Sequence, residues 1–111
     1  MKNSEKEITF PFENIEKMDR VVNEPARFSI MCYLFKANSI DFMKLLKMSG
    51  LTQGNLSFHL KKLEEAQFIS VEKKFVNRKP LTEVTITESG KASLKYYKDI
   101  LLSMFKTSGI K

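Results

Sequence analysis

The thiol and the imidazole, the side chains most often found in metal sites and nucleophilic pairs, occur once each in this sequence, as Cys32 and His59. One cysteine builds neither an internal disulfide nor a multi-cysteine metal centre. One histidine without an evident basic or nucleophilic partner does not make a catalytic pair, and Cys32 with His59 is too small a set for a zinc site. No glycine-rich phosphate loop occurs in either common spacing. The sequence is therefore expected to carry no catalytic residue, no metal and no cofactor. Cys32 falls on an apolar helical face and reads as a buried, inert thiol, with redox sensing the other reading. His59 lies about 60° around its helix from a leucine face, which suits a packed, hydrogen-bonded role first and a phosphate contact second.

The polar chemistry concentrates between residues 52 and 62. If Leu56, Leu60 and Leu63 pack on the body, then at about 100° per residue Gly54, Phe58, Lys61 and Lys62 point away. Gln53 and Ser57 lie on one flank and Asn55 on the other. Side-chain amides such as Gln53 and Asn55 pair with adenine edges, and Ser57 can donate or accept. Gly54 lets the backbone approach closely. An outward Phe58 suits a thymine methyl; packing against a neighbouring hairpin or subunit is the alternative. Thr52, His59, Lys61 and Lys62 are the phosphate candidates here. A second cationic group, Lys73, Lys74, Arg78 and Lys79, is expected to touch phosphates and minor-groove edges. Lys73 and Lys74 could instead guard a hairpin edge.

The overall charge agrees. The chain of 111 residues carries +6, with a pI near 9.5. Residues 1–24 hold four cations against six carboxylates, a net −2, so residues 25–111 hold fifteen against seven, a net +8. A basic body with an acidic leader points to a polyanion, either nucleic acid or a membrane surface. The longest apolar run, Ile30 to Phe35, is far too short for a membrane span, and the N-terminus has no apolar signal stretch. The cytoplasm is the expected location, with no membrane partner.

These side chains need elements to position them. Residues 12–21 space Ile15, Met18 and Val22 as a short helix would. Pro25, after Asn23-Glu24, opens a helix over about 25–37 with Phe28, Met31, Cys32, Leu34 and Phe35 on one broad buried face. That face reads as core rather than as a ligand pocket. Asn38-Ser39-Ile40 breaks the helix. Asp41 caps a short helix with Phe42, Leu45 and Leu46 inward, Gly50 ends it, and Thr52 caps a helix to about Ala66. The period then becomes alternating: Ile69, Val71 and Phe75 share one side of a strand with the stem of Lys73, and Val84 and Ile86 mark a second strand. Asn77-Arg78-Lys79-Pro80 is the tip between them. A last helix runs to about Lys106. Leu94, Tyr97, Leu101 and Met104 would cover the core, leaving Tyr96, Ile100 and Phe105 for a partner.

Helix, short helix, glycine turn, helix, basic hairpin, helix is the order of a winged helix-turn-helix. The stretches Ile40 to Leu46, Gly54 to Ala66 and Ile86 to Gly90 resemble the compact winged-helix regulators of the MarR/ArsR type, most of all their small bacterial and archaeal branch. Asn23-Glu24-Pro25-Ala26-Arg27 resembles that branch's first helix entry. The likeness spans roughly residues 23–100 and implies cytoplasmic, homodimeric, sequence-specific transcription factors. It departs at Gln67, where the family usually has glycine, so Gln67 must take a costlier cap or change the entry to the wing.

The expectation is thus an α+β winged helix-turn-helix with an added C-terminal dimerisation helix, divided as 1–22 leader, 23–88 DNA-binding domain and 89–111 dimerisation helix. It would bind double-stranded DNA at a palindromic operator as a homodimer, with Ile15, Met18, Tyr96, Ile100 and Phe105 at the interface and two recognition helices roughly 34 Å apart. Any small-molecule effector is unknown. The alternatives are a protein–protein interaction module and an architectural DNA protein without sequence preference.

Overall fold

A computed structural model describes residues 8–111. Among these, the order is α1 (Asn14–Lys17), α2 (Pro25–Ala37), β1 (Ser39–Asp41), α3 (Phe42–Ser49), α4 (Gln53–Glu65), β2 (Ile69–Val76), β3 (Lys79–Ile86) and α5 (Glu88–Ser108). The three strands form one antiparallel sheet in the order β1-β3-β2. The fold is the expected α+β winged helix with a C-terminal helix.

Local chemistry explains the starts of α2, α3, α4 and α5. Glu24 accepts from the Arg27 amide at 2.9 Å ahead of Pro25, Asp41 from Lys44 at 3.2 Å, Thr52 from Asn55 at 3.1 Å and Thr87 from Gly90 at 2.9 Å. Each carboxylate or hydroxyl satisfies an amide that the helix leaves unpaired. Gly50 takes φ 70°, which ends α3 without strain. Gln67 takes φ 66°, so the position where the resembled family has glycine does adopt the left-handed conformation.

The core lies between α2, α4, α5 and the inner half of the sheet. Val22, Met31, Leu34, Leu56, Leu63 and Val84 are its fully buried side chains, and Leu60 and Tyr97 adjoin them. Leu56, Leu60 and Leu63 recur at one helical face, as the spacing predicts. Removing any one to alanine would cost about 2–5 kcal/mol. Tyr97 packs edge-on to Phe28, centroids 5.5 Å apart, and its hydroxyl donates to the Asn23 amide oxygen, tying α5 to the entry of α2.

Several expectations change. The first helix is one turn, ending at Lys17, because Met18 is already extended. Residues 39–41 are a strand, not merely a break, since Ser39, Ile40 and Asp41 pair with Thr85, Val84 and Glu83. The face of α2 is narrower than read: Ile30, Met31 and Leu34 are buried, while Phe35 and Cys32 are exposed. Cys32 is therefore not a buried thiol, although partial desolvation still pushes its pKa up. Phe75 is not on the core. It is 78% exposed, because the hairpin runs on beyond the body after Val71. Ile100 is buried within the protomer, next to Tyr97 on the inward stripe of α5, and is not free for a partner.

Candidate nucleic-acid interface

Helix α4 presents an uncovered polar face. Gln53, Gly54, Asn55, Ser57, Phe58, Lys61 and Lys62 are all exposed, while the leucine side is sealed against the body. Phe58 is 55% exposed and touches neighbours on its own helix: the His59 ring edge-on at 5.5 Å and the Lys62 ammonium 5.5 Å from its centroid. A Cβ added at Gly54 would meet nothing within 4 Å, so glycine there is not demanded by the fold.

His59 stands apart from these. Its Nδ1 accepts from the Arg27 guanidinium at 2.9 Å, with the Glu24 carboxylate 3.9 Å away. Arg27 also donates from Nε to the Val21 carbonyl at 2.6 Å. Arginine has no acceptor, so this bond fixes Nδ1 as the unprotonated nitrogen and leaves the proton on Nε2. The packed, hydrogen-bonded role outranks a phosphate contact. The cap donated by the Arg27 amide holds the Glu24 carboxylate below its ordinary range, against partial burial. Arg27 and Glu24 were not singled out as site residues in the sequence. Their signal was the helix-entry string 23–27, but the partner of Arg27 lies 32 residues on.

The hairpin is closed by Asn77 and Arg78 alone, at φ 53° and 66°, with Val76 opposite Lys79. Two positive φ values make the turn whose twist matches the strands, and asparagine tolerates them better than arginine does. Alternation then sorts the side chains. Val71, Lys73, Phe75, Pro80 and Thr82 share the face toward α4; Glu72, Lys74, Val76, Lys79 and Glu83 share the other. Glu72 stands directly opposite Glu83, and Lys74 bridges both, at 3.6 and 2.7 Å. The Glu83 carboxylate raises the Lys74 pKa and occupies its charge. Among the wing cations, Lys73, Arg78 and Lys79 are exposed and Lys74 is half-buried.

Between α4 and the wing runs an open groove of about 700 Å³. Gln53, Ser57 and Lys61 form one wall, Lys73, Pro80 and Thr82 the other, and Phe42 and Met43 of α3 contribute to its lining. It brings together four of the expected site residues, Gln53, Ser57, Lys61 and Lys73; Gly54, Asn55, Phe58, Lys62, Arg78 and Lys79 lie outside it. Of the five expected dimer residues, Tyr96 and Phe105 are exposed on α5 and Ile15 on α1, Met18 is half-buried and Ile100 is buried. Among the described residues no group of three or more His, Cys, Asp or Glu could hold a metal, and no helix is long and apolar enough to cross a membrane.

Comparison with known proteins agrees with this geometry. The chain is 32% identical over 87 residues to an uncharacterized protein of Methanocaldococcus jannaschii, covering 78% of this chain and 95% of that one. The structure of a transcriptional regulator homologue from Pyrococcus horikoshii superposes with a TM-score of 0.83 at 26% identity, over 89% of this chain and all of the other. A cysteine-to-serine mutant of MarR from E. coli, solved with operator DNA, shares the fold at a TM-score of 0.58 and 19% identity, over 89% and 78% of the two chains. The two solved structures are thus of a transcriptional regulator homologue and of a regulator bound to operator DNA. The model of one family, the winged helix DNA-binding domain, matches residues 26–105. The chain belongs to the winged helix DNA-binding domain family.

Proposed function

We propose that this protein is a cytoplasmic transcriptional regulator that binds a palindromic operator as a homodimer, with α4 in the major groove and the wing beside it. One observation carries the reading: Gln53, Ser57 and Lys61 on the uncovered face of α4 and Lys73 of the wing line opposite walls of a single open groove. A recognition helix reads bases mainly through its N-terminal half, where Gln53, Gly54, Asn55, Ser57 and Phe58 lie. Thr52, Lys61, Lys62, Lys73, Arg78 and Lys79 serve the phosphates, with His59 and Lys74 in supporting positions. Residues 23–88 form the DNA-binding unit. The segment 89–111 closes its core through Leu94, Tyr97 and Ile100 and offers Tyr96 and Phe105 to a second copy. The MarR structure with operator DNA and the regulator homologue support the reading by likeness of fold.

Selection from a random duplex library, with excess nonspecific competitor, tests it. A two-fold symmetric consensus is expected. Phe58→Ala and Gln53→Ala should each lower affinity for that consensus by about 1–3 kcal/mol and leave nonspecific binding nearly intact. Gly54→Ala meets no protein atom, so any loss of binding reports close approach of DNA to the backbone. Failure to enrich any sequence would leave the architectural reading; no DNA binding at all would leave the protein-interaction reading.

A further inference from the structure

The wing tip carries more exposed apolar surface than a phosphate clamp needs. Phe75 is 78% exposed and Val76 47% exposed, and Phe75 stands opposite Pro80 on the face that turns toward α4. Neither the core nor the groove uses the Phe75 ring: it is outside both the buried cluster and the groove lining. Residues 73–82 contain four cations and no carboxylate. An aromatic ring held in water beside three exposed cations, Lys73, Arg78 and Lys79, is complementary to a surface that is both anionic and apolar within a few ångströms. The floor and sugar walls of a DNA minor groove have that chemistry.

From this we infer that Phe75 is a minor-groove wedge, backed by Pro80, that reads the deformability of a base step beside the operator half-site. The inference rests on the proposed DNA-binding function and adds a specificity determinant to it. The geometry fits the dimensions. With α4 in the major groove, the hairpin across the intervening groove meets the adjacent minor groove. That groove is only about 6 Å wide, so a two-stranded ribbon enters by its tip alone. The two-residue turn keeps this tip narrow and places Phe75 just behind Arg78. Phenylalanine and proline are among the side chains that pry open base steps from the minor groove, and pyrimidine–purine steps yield most easily. Arg78 and Lys79 would hold the flanking phosphates while the ring enters.

Two libraries selected in parallel, with wild-type protein and with Phe75→Ala, test this. Wild type is expected to enrich TA or CA/TG steps about half a turn outside the positions read by α4, and the variant to keep the central consensus but lose the flanking enrichment. With 2-aminopurine at that step of the selected duplex, wild type should raise the fluorescence by unstacking and Phe75→Ala should not; affinity should fall about tenfold, a typical single-contact effect. Phe75→Leu, which keeps an apolar wedge, should restore most of both signals. Equal flanking preferences and equal affinity for the two proteins would overturn the wedge while leaving the operator reading standing. Binding to phosphatidylcholine–phosphatidylglycerol vesicles that Phe75→Ala abolishes, with DNA binding unchanged, would overturn it in favour of a membrane surface. If wild type enriches no DNA, both readings fall together.

Discussion

The Arg27 guanidinium donates to His59 Nδ1 over 2.9 Å, joining the first turn of α2 to the middle of the helix that faces the groove. Arg27 also satisfies the Val21 carbonyl, so one side chain sets both the entry to α2 and the seat of α4. Arg27→Ala should destabilise the fold by about 1–3 kcal/mol, since it strips a donor from two part-buried acceptors. In a double-mutant cycle with His59→Ala the coupling should exceed about 0.5 kcal/mol, measured by denaturant unfolding. Strict additivity would mean that the pair does not hold the helix.

Glu24 gives this junction a pH dependence. Its carboxylate accepts from the Arg27 amide and titrates below the ordinary range in the folded protein. A lowered folded value means stability that is fully present above the ordinary carboxylate value and lost as pH falls through the lowered one. Glu24→Gln should therefore lower stability near neutral pH, flatten the acid limb of the stability–pH curve and converge on wild type at low pH. An identical acid limb in the variant, followed by thermal melts from neutral to acid pH, would show that Glu24 does not contribute to it.

Gly90 lies where α5 starts against the base of the wing. A Cβ there would come within 2.2 Å of the Phe68 carbonyl oxygen, a backbone atom that cannot swing aside. In an ordinary helix Gly→Ala gains up to about 1 kcal/mol. Here the clash should reverse the sign, and Gly90→Ala should cost about 2–3 kcal/mol. The denaturant midpoint is expected to drop at unchanged slope.

The wing cations should separate into two kinds. Arg78→Ala with Lys79→Ala should reduce the log–log salt slope of DNA binding by about 1.8, two contacts at roughly 0.9 each. Lys74→Ala should hardly change that slope, because Glu83 and Glu72 already hold the ammonium. It should instead loosen the hairpin, leaving two carboxylates face to face. Equal slopes for the two variants would contradict this division.

The proposed dimer is best tested by charge rather than truncation. Removing residues 94–111 would strip Leu94, Tyr97 and Ile100 from the protomer's own core. Tyr96 and Phe105, 52% and 48% exposed, can be changed without touching it. Tyr96→Glu with Phe105→Glu should weaken self-association by at least about 2 kcal/mol while helical content is kept. Sedimentation equilibrium at matched concentrations measures it.

Where the chain repeats a period, its structure was legible. The leucines of α4, the caps at Asp41 and Thr52, and the alternation in the wing all stand where the sequence puts them. Strand β1 was not legible, because three residues with one apolar side chain have no period; pairing with residues 83–85 creates it. Alternation told which side Phe75 faces but not where the body beneath it ends. Ile100 and Cys32 show the same limit on helices: a broad apolar stripe does not say which edge meets the core. The outward face of α4 followed from the leucines alone, whereas the Arg27–His59 contact needed the fold to bring together residues far apart in the chain.

Asp41 is the last residue of β1 and also the cap of α3. No spare residue separates the two, so strand and helix share one joint, and β1 is laced to β3 of the wing. A push on the wing cannot be absorbed by slack before it reaches α3. Amide protons in β1 and in the first turn of α3 should thus exchange with solvent as one cooperative unit, and a clamp on the hairpin should slow both together.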